Sequence, residues 1–215
     1  RFKIMLRSRI MLLFRASESG EIKSQREKDT LPKGAMTFLQ NKESQIILDW
    51  QDHVETDAMM KGIECEDASI ALFNQVTGNF YFKNAERKEN GVITGECDIF
   101  DEENSIIWDI KSSYSKKTHK MRIDVKDNKT YFWQLVSYAI LWNTENAGLA
   151  RCLVDTPEYL INQYKDDIEW HLVSDIEPKK RLAMASMQVT TELKEQLMNR
   201  AKLAQNKLLE MIGEW

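Results

Sequence analysis

Between Gly95 and Lys111, two aspartates and a lysine, Asp98, Asp109 and Lys111, lie within or beside apolar sequence. The second half of this stretch, Ser105 to Lys111, is rich in isoleucine and predicts a largely buried β-strand. Residues two apart in a strand point to the same face, so Asp109 and Lys111 are expected to lie side by side. A buried carboxylate is costly unless it is paired or binds a metal. The segment therefore requires a partner for Asp109.

A second short strand, Val92 to Phe100, carries Asp98, and the polar residues Asp101 to Asn104 predict a turn that joins the two strands as a hairpin. Two interpretations are open at this point. Asp109 and Lys111 form a structural ion pair, or Asp98 and Asp109 together bind a cation. The Asp-x-Lys pattern alone fits the ion pair; the upstream aspartate favours the cation.

A third acid lies on a predicted helix from Asp57 to Thr77, which Gly78 ends. Glu66 follows Ile63 by three residues and precedes Ile70 by four, so it is expected on the apolar, inward-facing stripe. A glutamate there is either a boundary residue of the helix or a third oxygen donor for a hard cation.

Two further features follow the Asp-x-Lys strand. A basic loop either is simply solvated or contacts phosphates, and its cations are Lys116, Lys117, Lys120 and Arg122. Next comes an apolar helix, Tyr131 to Asn143, with Gln134 and Tyr138 on one face. A glutamine in so apolar a segment needs a partner, which is either a neighbouring backbone group or the site itself.

The remaining patterns complete an α/β core with a central mixed sheet flanked by helices. They predict helices at Met36–Trp50, Glu158–Asp167 and Thr190–Met211, strands at Asn79–Lys83 and Gly148–Thr156, and a tight turn at Asn90-Gly91. With 215 residues, we expect one domain over 1–215, with a core at about 57–170, an N-terminal segment at 1–50 and a C-terminal amphipathic helix at 190–212.

Composition excludes several classes of protein. No apolar stretch is long enough for a membrane helix, so no membrane association is expected. The three cysteines form no CxxC pair, which argues against a zinc ribbon, an iron-sulfur cluster or a disulfide framework and favours the cytoplasm. The net charge of −4 argues against a uniformly basic nucleic-acid coat but allows a local one.

The ordered pattern resembles the PD-(D/E)XK nuclease superfamily, which has a restriction-endonuclease-like core, and within it the phage lambda-type (YqaJ-like) exonuclease branch. The resemblance covers roughly Gly62 to Pro157. The matching residues are Gly62 and Glu66 in GIECEDA, Gly95 and Asp98 in TGECD, Asp109 and Lys111 in WDIKSS, and Gln134 and Tyr138 in QLVSY. Cys97 stands where the superfamily usually has proline, and the carboxylate that follows it is kept.

The resemblance implies roles for individual residues. Glu66, Asp98, Asp109 and the Ile110 carbonyl would bind one or two Mg²⁺ or Mn²⁺ ions, and Lys111 would position or activate the attacking water. Gln134 and Tyr138 would support the site. Near the start, RASES looks like a segment that holds the DNA end in that branch, which implies DNA contacts for Arg15 and Ser17.

The implied activity is metal-dependent hydrolysis of DNA to 5′-phosphate products by a 5′-to-3′ double-strand exonuclease of a phage recombination system. The resemblance also implies linear duplex ends as substrate, a ring-shaped homotrimer, a single-strand annealing protein as partner and, if phage-encoded, the host cytoplasm as location. Two alternatives remain open at this stage: an endonuclease on the same core, and a DNA-binding protein that has lost catalysis.

Overall fold

The computed structural model describes residues 12–23, 30–51, 56–162, 164 and 166–214. These residues form seven β-strands: β1 (Phe14–Arg15), β2 (Lys88–Glu89), β3 (Ile93–Gly95), β4 (Ile99–Asp101), β5 (Ile106–Ser112), β6 (Asn146–Cys152) and β7 (Leu182–Gln188). They also form six α-helices: α1 (Ser19–Ile22), α2 (Lys33–Ile47), α3 (Asp57–Glu64), α4 (Glu66–Thr77), α5 (Lys129–Leu141) and α6 (Thr191–Gly213). Part of the predicted N-terminal segment, residues 1–11 and 24–29, lies outside the described residues.

The strands form two sheets. The larger has the order β4-β5-β6-β7, in which β5 and β6 are parallel and the two outer pairs are antiparallel. The smaller has the order β1-β3-β2, with β1 parallel to β3. The predicted α/β architecture with a mixed sheet is therefore confirmed, and the predicted hairpin is the β4-β5 pair.

The alternation of side chains along β5 divides the core into two clusters. Ile107 points to a cluster formed with residues of α5 and α6, whereas Ile110 points to a cluster formed with α4. Trp108 packs against the second cluster, where its ring lies 5.2 Å from that of Phe73. The predicted strand is thus buried on both faces, as its apolar run requires.

Three of the helices begin at polar caps. Side chains of Thr56, Asn128 and Thr190 accept hydrogen bonds from the first turns of α3, α5 and α6. Helix α2 instead follows Pro32, whose fixed φ suits the start of a helix. The predicted helices over Met36–Trp50, Tyr131–Asn143 and Thr190–Met211 are therefore confirmed, with ends shifted by a few residues.

The predicted single helix from Asp57 to Thr77 is wrong in one respect, because it breaks at Cys65 into α3 and α4. The break turns Ile63 away from the core, so it is 67% exposed although Ile70 and Phe73 are buried. Gly78 does end the helix, with a positive φ of 74°.

Three other predictions of secondary structure are corrected. The segment Val92–Phe100 is two strands in different sheets, with Asp98 in the connection between them. Asn79–Lys83 forms no strand, and Glu158–Asp167 contains only the 3-10 turn Glu158–Leu160 among its described residues. Strand β7 was not predicted at all. No helix in the described part of the chain is long and apolar enough to span a membrane.

Candidate active site

Asp109 and Lys111 stand side by side on β5, as their spacing predicts. Lys111 Nζ lies 2.8 Å from Asp109 Oδ1. The aspartate side chain is only 1% exposed, whereas the lysine side chain is 26% exposed and reaches a cleft. The pair therefore joins a buried acid to a cation that solvent and ligands can reach.

Asp98 lies just before β4, on the edge of β5. Its Oδ2 accepts a hydrogen bond of 2.5 Å from the backbone N–H of Ile110. The N–H and C=O of one strand residue point to the same edge, so the Ile110 carbonyl also faces the side where Asp98 lies. The hairpin thus brings the two aspartates and this carbonyl together near the C-terminal end of β5, at the edge that faces β4.

The electrostatics of the two aspartates favour a bound positive charge. Burial, followed by the charge of Asp109, raises the pKa of Asp98 to about 7. Burial also raises the pKa of Asp109, against the opposing charge of Lys111. Burial works to lower the pKa of Lys111, but the charges of Asp109 and Asp98 outweigh it, so the pKa is raised and the lysine is protonated at neutral pH.

Helix α5 supplies the two supporting residues. Gln134 Nε2 donates to Asp109 Oδ1 at 3.2 Å and to the Tyr138 hydroxyl at 3.0 Å. Its partner is therefore the candidate site and not a neighbouring backbone group. Gly95 permits this packing, because a Cβ there would lie 2.9 Å from a ring carbon of Tyr138.

Glu66 begins α4 and borders the same cleft, which has a volume of about 530 Å³. The cleft is also lined by Asp98, Ile110 and Lys111. Glu66 Oε2 lies 2.5 Å from Lys83 Nζ, and its side chain is 22% exposed. The carboxylate therefore reaches the cleft, but one of its oxygens is engaged by a lysine.

The acidic residues fit a hard cation in part. Among the described residues, no three histidine, cysteine, aspartate or glutamate side chains are grouped as a set of metal ligands. Asp109 Oδ2, however, is buried and has no hydrogen-bond partner, which is the kind of oxygen that a cation satisfies. Asp98, Asp109 and the Ile110 carbonyl are the oxygen donors that could hold a cation here, and Glu66 could join them only by leaving Lys83.

The residues predicted to contact DNA lie on two surfaces. In the basic loop, Lys116, Lys117, Lys120 and Arg122 are exposed, and Lys117 Nζ lies 5.1 Å from the centre of the Trp170 ring. In the N-terminal segment, Ser17 is exposed, but Arg15 is paired with Glu18 at 2.9 Å. Ser19, in the same RASES run, is buried against Ser137 of α5.

Three residues in or beside the cleft have no predicted role from the sequence. Tyr131 and Arg151 line the cleft, and Lys83 contacts Glu66 at its border. Tyr131 lies under Lys111, whose Nζ is 5.6 Å from the ring centre. Lys83 comes from the segment that was wrongly predicted as a strand. Arg151 lies in a correctly predicted strand, but its neighbour across the sheet depends on a register that the sequence does not reveal.

Comparison with known proteins gives matches only among solved structures. No family model and no curated protein matches the chain. A phage-related exonuclease from Haemophilus somnus 129PT is similar, with 26% identity, a TM-score of 0.86, and coverage of 94% of this chain and 96% of that one. An alkaline exonuclease (LHK-Exo) from Laribacter hongkongensis has 9% identity, a TM-score of 0.68, and coverage of 95% and 91%.

The Laribacter enzyme has also been solved in complex with dAMP, and that structure gives a TM-score of 0.67 at 12% identity over 96% of this chain and 92% of the other. These likenesses extend over nearly the whole of each chain. The predicted nuclease-type fold is therefore confirmed.

Proposed function

We propose that this chain, which has the fold of the phage-related exonucleases, is a metal-dependent deoxyribonuclease that digests linear duplex DNA from its 5′ ends. The single observation that carries the proposal is the Asp98, Asp109 and Lys111 constellation at the end of β5, inside a fold shared with an exonuclease over 94% of the chain. Asp98 and Lys111 line one cleft, and Asp109 lies buried behind it in contact with Lys111. The presence of all three residues argues against the inactive DNA-binding alternative.

Asp98, Asp109, Glu66 and the Ile110 carbonyl would hold Mg²⁺ or Mn²⁺, as one or two ions. When bound, such ions neutralise charge on the phosphate and lower the pKa of bound water. The raised pKa values of Asp98 and Asp109 support this assignment, because two carboxylic acids that resist ionisation through burial are stabilised as anions by a cation.

Lys111 would act on the phosphate as a positive charge. Because its pKa is raised, it carries a proton and stabilises the negative charge that develops on the phosphate oxygens. Asp109 fixes its orientation, and Gln134 in turn fixes Asp109 through the bond between Nε2 and Oδ1. Tyr138 completes the chain of hydrogen bonds from α5, so the helix positions the acid and the acid positions the lysine.

DNA would approach across the basic loop, whose four cations lie directly after β5, and its 5′ end would meet Arg15 and Ser17. We further propose a ring-shaped homotrimer, because in a ring only the channel of an acidic protein needs positive charge. We also propose a single-strand annealing protein as its partner, because the enzyme would leave single-stranded DNA. The setting would be a phage recombination system in the host cytoplasm.

The proposal is tested by digestion of linear duplex DNA labelled separately at its 5′ and 3′ ends, with Mg²⁺ or with EDTA, beside a covalently closed circle. We expect Mg²⁺-dependent loss of the 5′ label with the circle intact. Cleavage of the circle would instead identify an endonuclease on the same core. Binding without cleavage in Mg²⁺ and in Mn²⁺ would overturn the catalytic assignment.

A further inference from the structure

Arg151 is a second cation in the cleft, and it comes from the strand next to Lys111. In the parallel β5-β6 pair, Arg151 is the register partner of Lys111, so the two side chains extend from the same face of the sheet. Both line the cleft that also contains Asp98 and Glu66. The structure therefore places a guanidinium beside the catalytic lysine, although no sequence motif predicts this arrangement.

The guanidinium has no acidic partner within the described part of the chain. No carboxylate lies within ion-pair distance of Arg151 there, and its Nε is buried without a hydrogen-bond partner. The other cations around the cleft differ in this respect, because Lys111 is paired with Asp109 and Lys83 with Glu66. A buried donor on a charged group is costly to leave unsatisfied, so Arg151 is suited to an anion that arrives with the substrate.

A second buried nitrogen without a hydrogen-bond partner lies nearby. His119 Nδ1 is 3.0 Å from Ser113 Oγ, whereas its Nε2 is buried without a partner. Burial, followed by the charge of Arg151, lowers the pKa of His119 and keeps the ring neutral. A neutral ring whose Nδ1 accepts from Ser113 carries its proton on Nε2 and can donate it to an anionic oxygen.

The order of the strands indicates which anion this is. Asp98 lies on the β4 side of β5, and Arg151 lies on β6, on the other side. Adjacent strands are about 4.8 Å apart, so Arg151 begins one strand spacing from Asp109 on β5 and roughly two from Asp98. Resting on the function proposed above, we propose that Arg151, with His119 beside it, forms a subsite for the phosphate adjacent to the scissile one in the degraded strand.

This subsite suits a phosphodiester better than a base. A guanidinium binds two phosphate oxygens at once, and His119 Nε2 adds a third donor. The subsite would hold the strand in register, so that the phosphate between Asp98 and Lys111 is the one that is cut. Arg151 is in this sense a substrate-binding residue, and its effect should depend on the charge of one particular linkage.

The test follows digestion of a linear duplex that carries a single neutral methylphosphonate linkage in the degraded strand, at single-nucleotide resolution. We expect the wild-type chain to pause, with a rate reduced about tenfold or more, when the neutral linkage is next to the scissile position. Arg151→Gln should be slower at every position by a similar factor, and it should lose this extra pause. Both proteins should stop when the neutral linkage itself becomes scissile.

Arg181→Gln is the matched control, because Arg181 also has a buried, unpartnered Nε but does not line the cleft. It should keep both the rate and the pause. A pause of unchanged size in Arg151→Gln, or equal slowing in both variants with equal losses of thermal stability, would overturn the subsite.

If the wild-type chain degrades no DNA, the proposed nuclease function is wrong. A DNA-binding measurement then tests separately whether Arg151 binds a phosphate. Fluorescence anisotropy with the same duplex in Ca²⁺ requires no cleavage. Tenfold or greater weakening by Arg151→Gln, without weakening by Arg181→Gln, would still support a phosphate site. Equal affinities for all three proteins would rule it out.

Discussion

Asp98 and Asp101 are only three residues apart, yet their surroundings act on them in opposite directions. Burial and the charge of Asp109 raise the pKa of Asp98 to about 7. Burial would also raise the pKa of Asp101, but hydrogen bonds from Tyr81 and Asn104 outweigh it and lower that pKa. Asp98 is thus an acid in need of a cation, whereas Asp101 already has the donors that it needs and serves the turn.

This contrast predicts opposite dependences of stability on pH. An aspartate whose pKa is raised binds more protons in the folded state, so without metal the Asp98 contribution is present below pH 4 and is lost as the pH rises towards 7. Asp98→Asn should therefore stabilise the protein at pH 8 in EDTA, by on the order of 2 kcal/mol. Urea unfolding at pH 4.5 and pH 8 measures the difference.

Asp101→Asn is the control for that experiment, and its effect should have the opposite sign. A lowered pKa contributes stability above the unfolded value, and that contribution is lost as the pH falls. Asp101→Asn should thus destabilise the protein at pH 8. Destabilisation of similar size by Asp98→Asn would show that Asp98 is stabilised as an anion by the protein alone.

Substitutions of Asp109 and Lys111 should have different effects, because the aspartate is proposed to bind the metal and the lysine to stabilise charge on the phosphate. Lys111→Met should lower kcat by about 10²–10³-fold, because it removes the positive charge at the phosphate, and should leave Mn²⁺ binding nearly intact. Asp109→Asn should abolish both cleavage and Mn²⁺ binding. Calorimetric titration with Mn²⁺ and circular dichroism distinguish these effects from unfolding. Equal loss of folded structure in both variants would support a purely structural ion pair.

The sequence predicted the residues of the site that lie on regular elements. The spacing along β5 brings Asp109 and Lys111 together, and the helical spacing brings Gln134 to Tyr138. The partners that were not predicted meet across elements far apart in the chain, such as Lys83 with Glu66. Their contact depends on a segment without regular structure, for which local patterns give no direction.

At the scale of elements, the sequence predicted the strands and helices whose burial is evident from the local pattern of apolar residues. Strand β5 and helix α5 have long apolar runs, and both form. Strand β7 was missed because its sequence, LAMASMQ, favours a helix by composition, and pairing with β6 overrides that preference. The segment Asn79–Lys83 has the composition of a strand, but its two phenylalanines are 90% and 83% exposed, and no strand pairing forms there.

The contact between β5 and β6 allows no side chain at Gly148. A Cβ at this position would overlap the ring of Trp108 on the neighbouring strand. Gly148→Ala should therefore destabilise the fold by about 1–3 kcal/mol or more, because the ring is held in the core against Phe73. Gly34→Ala, in open space at the start of α2, should be neutral or slightly stabilising. Thermal melting compares the two, and equal stability would contradict the packing.

Lys61 fixes α3 to the end of β5. It is fully buried, and its Nζ donates to the carbonyls of Ser113, Tyr114 and Val154 at 2.7 to 3.1 Å. Lys61→Met should cost about 3 kcal/mol, because it leaves buried carbonyls without this donor. Lys83→Met, which removes a more exposed cation, should cost less than about 1 kcal/mol. Urea unfolding of both variants checks the ranking.

At the scale of the whole molecule, an acidic chain must bind a polyanion. The net charge is −4, so long-range attraction to DNA cannot come from the average charge of the surface. The attraction has to come from a local concentration of cations on the surface. The basic loop holds four exposed cations for which no ion pair is found in the described part of the chain, whereas Lys180 and Lys207 elsewhere are paired with acids.

The position of the basic loop predicts how salt affects binding. A triple substitution of Lys116, Lys117 and Lys120 by glutamine should weaken binding to duplex DNA in Ca²⁺. It should also reduce the slope of log affinity against log salt by about 2–3, because each phosphate contact contributes about 0.9. The same substitution at Lys179, Lys180 and Lys202 changes the net charge equally, but should leave the slope almost unchanged. If both triple variants reduce the slope alike, DNA responds to net charge only, and the loop does not guide it to the cleft.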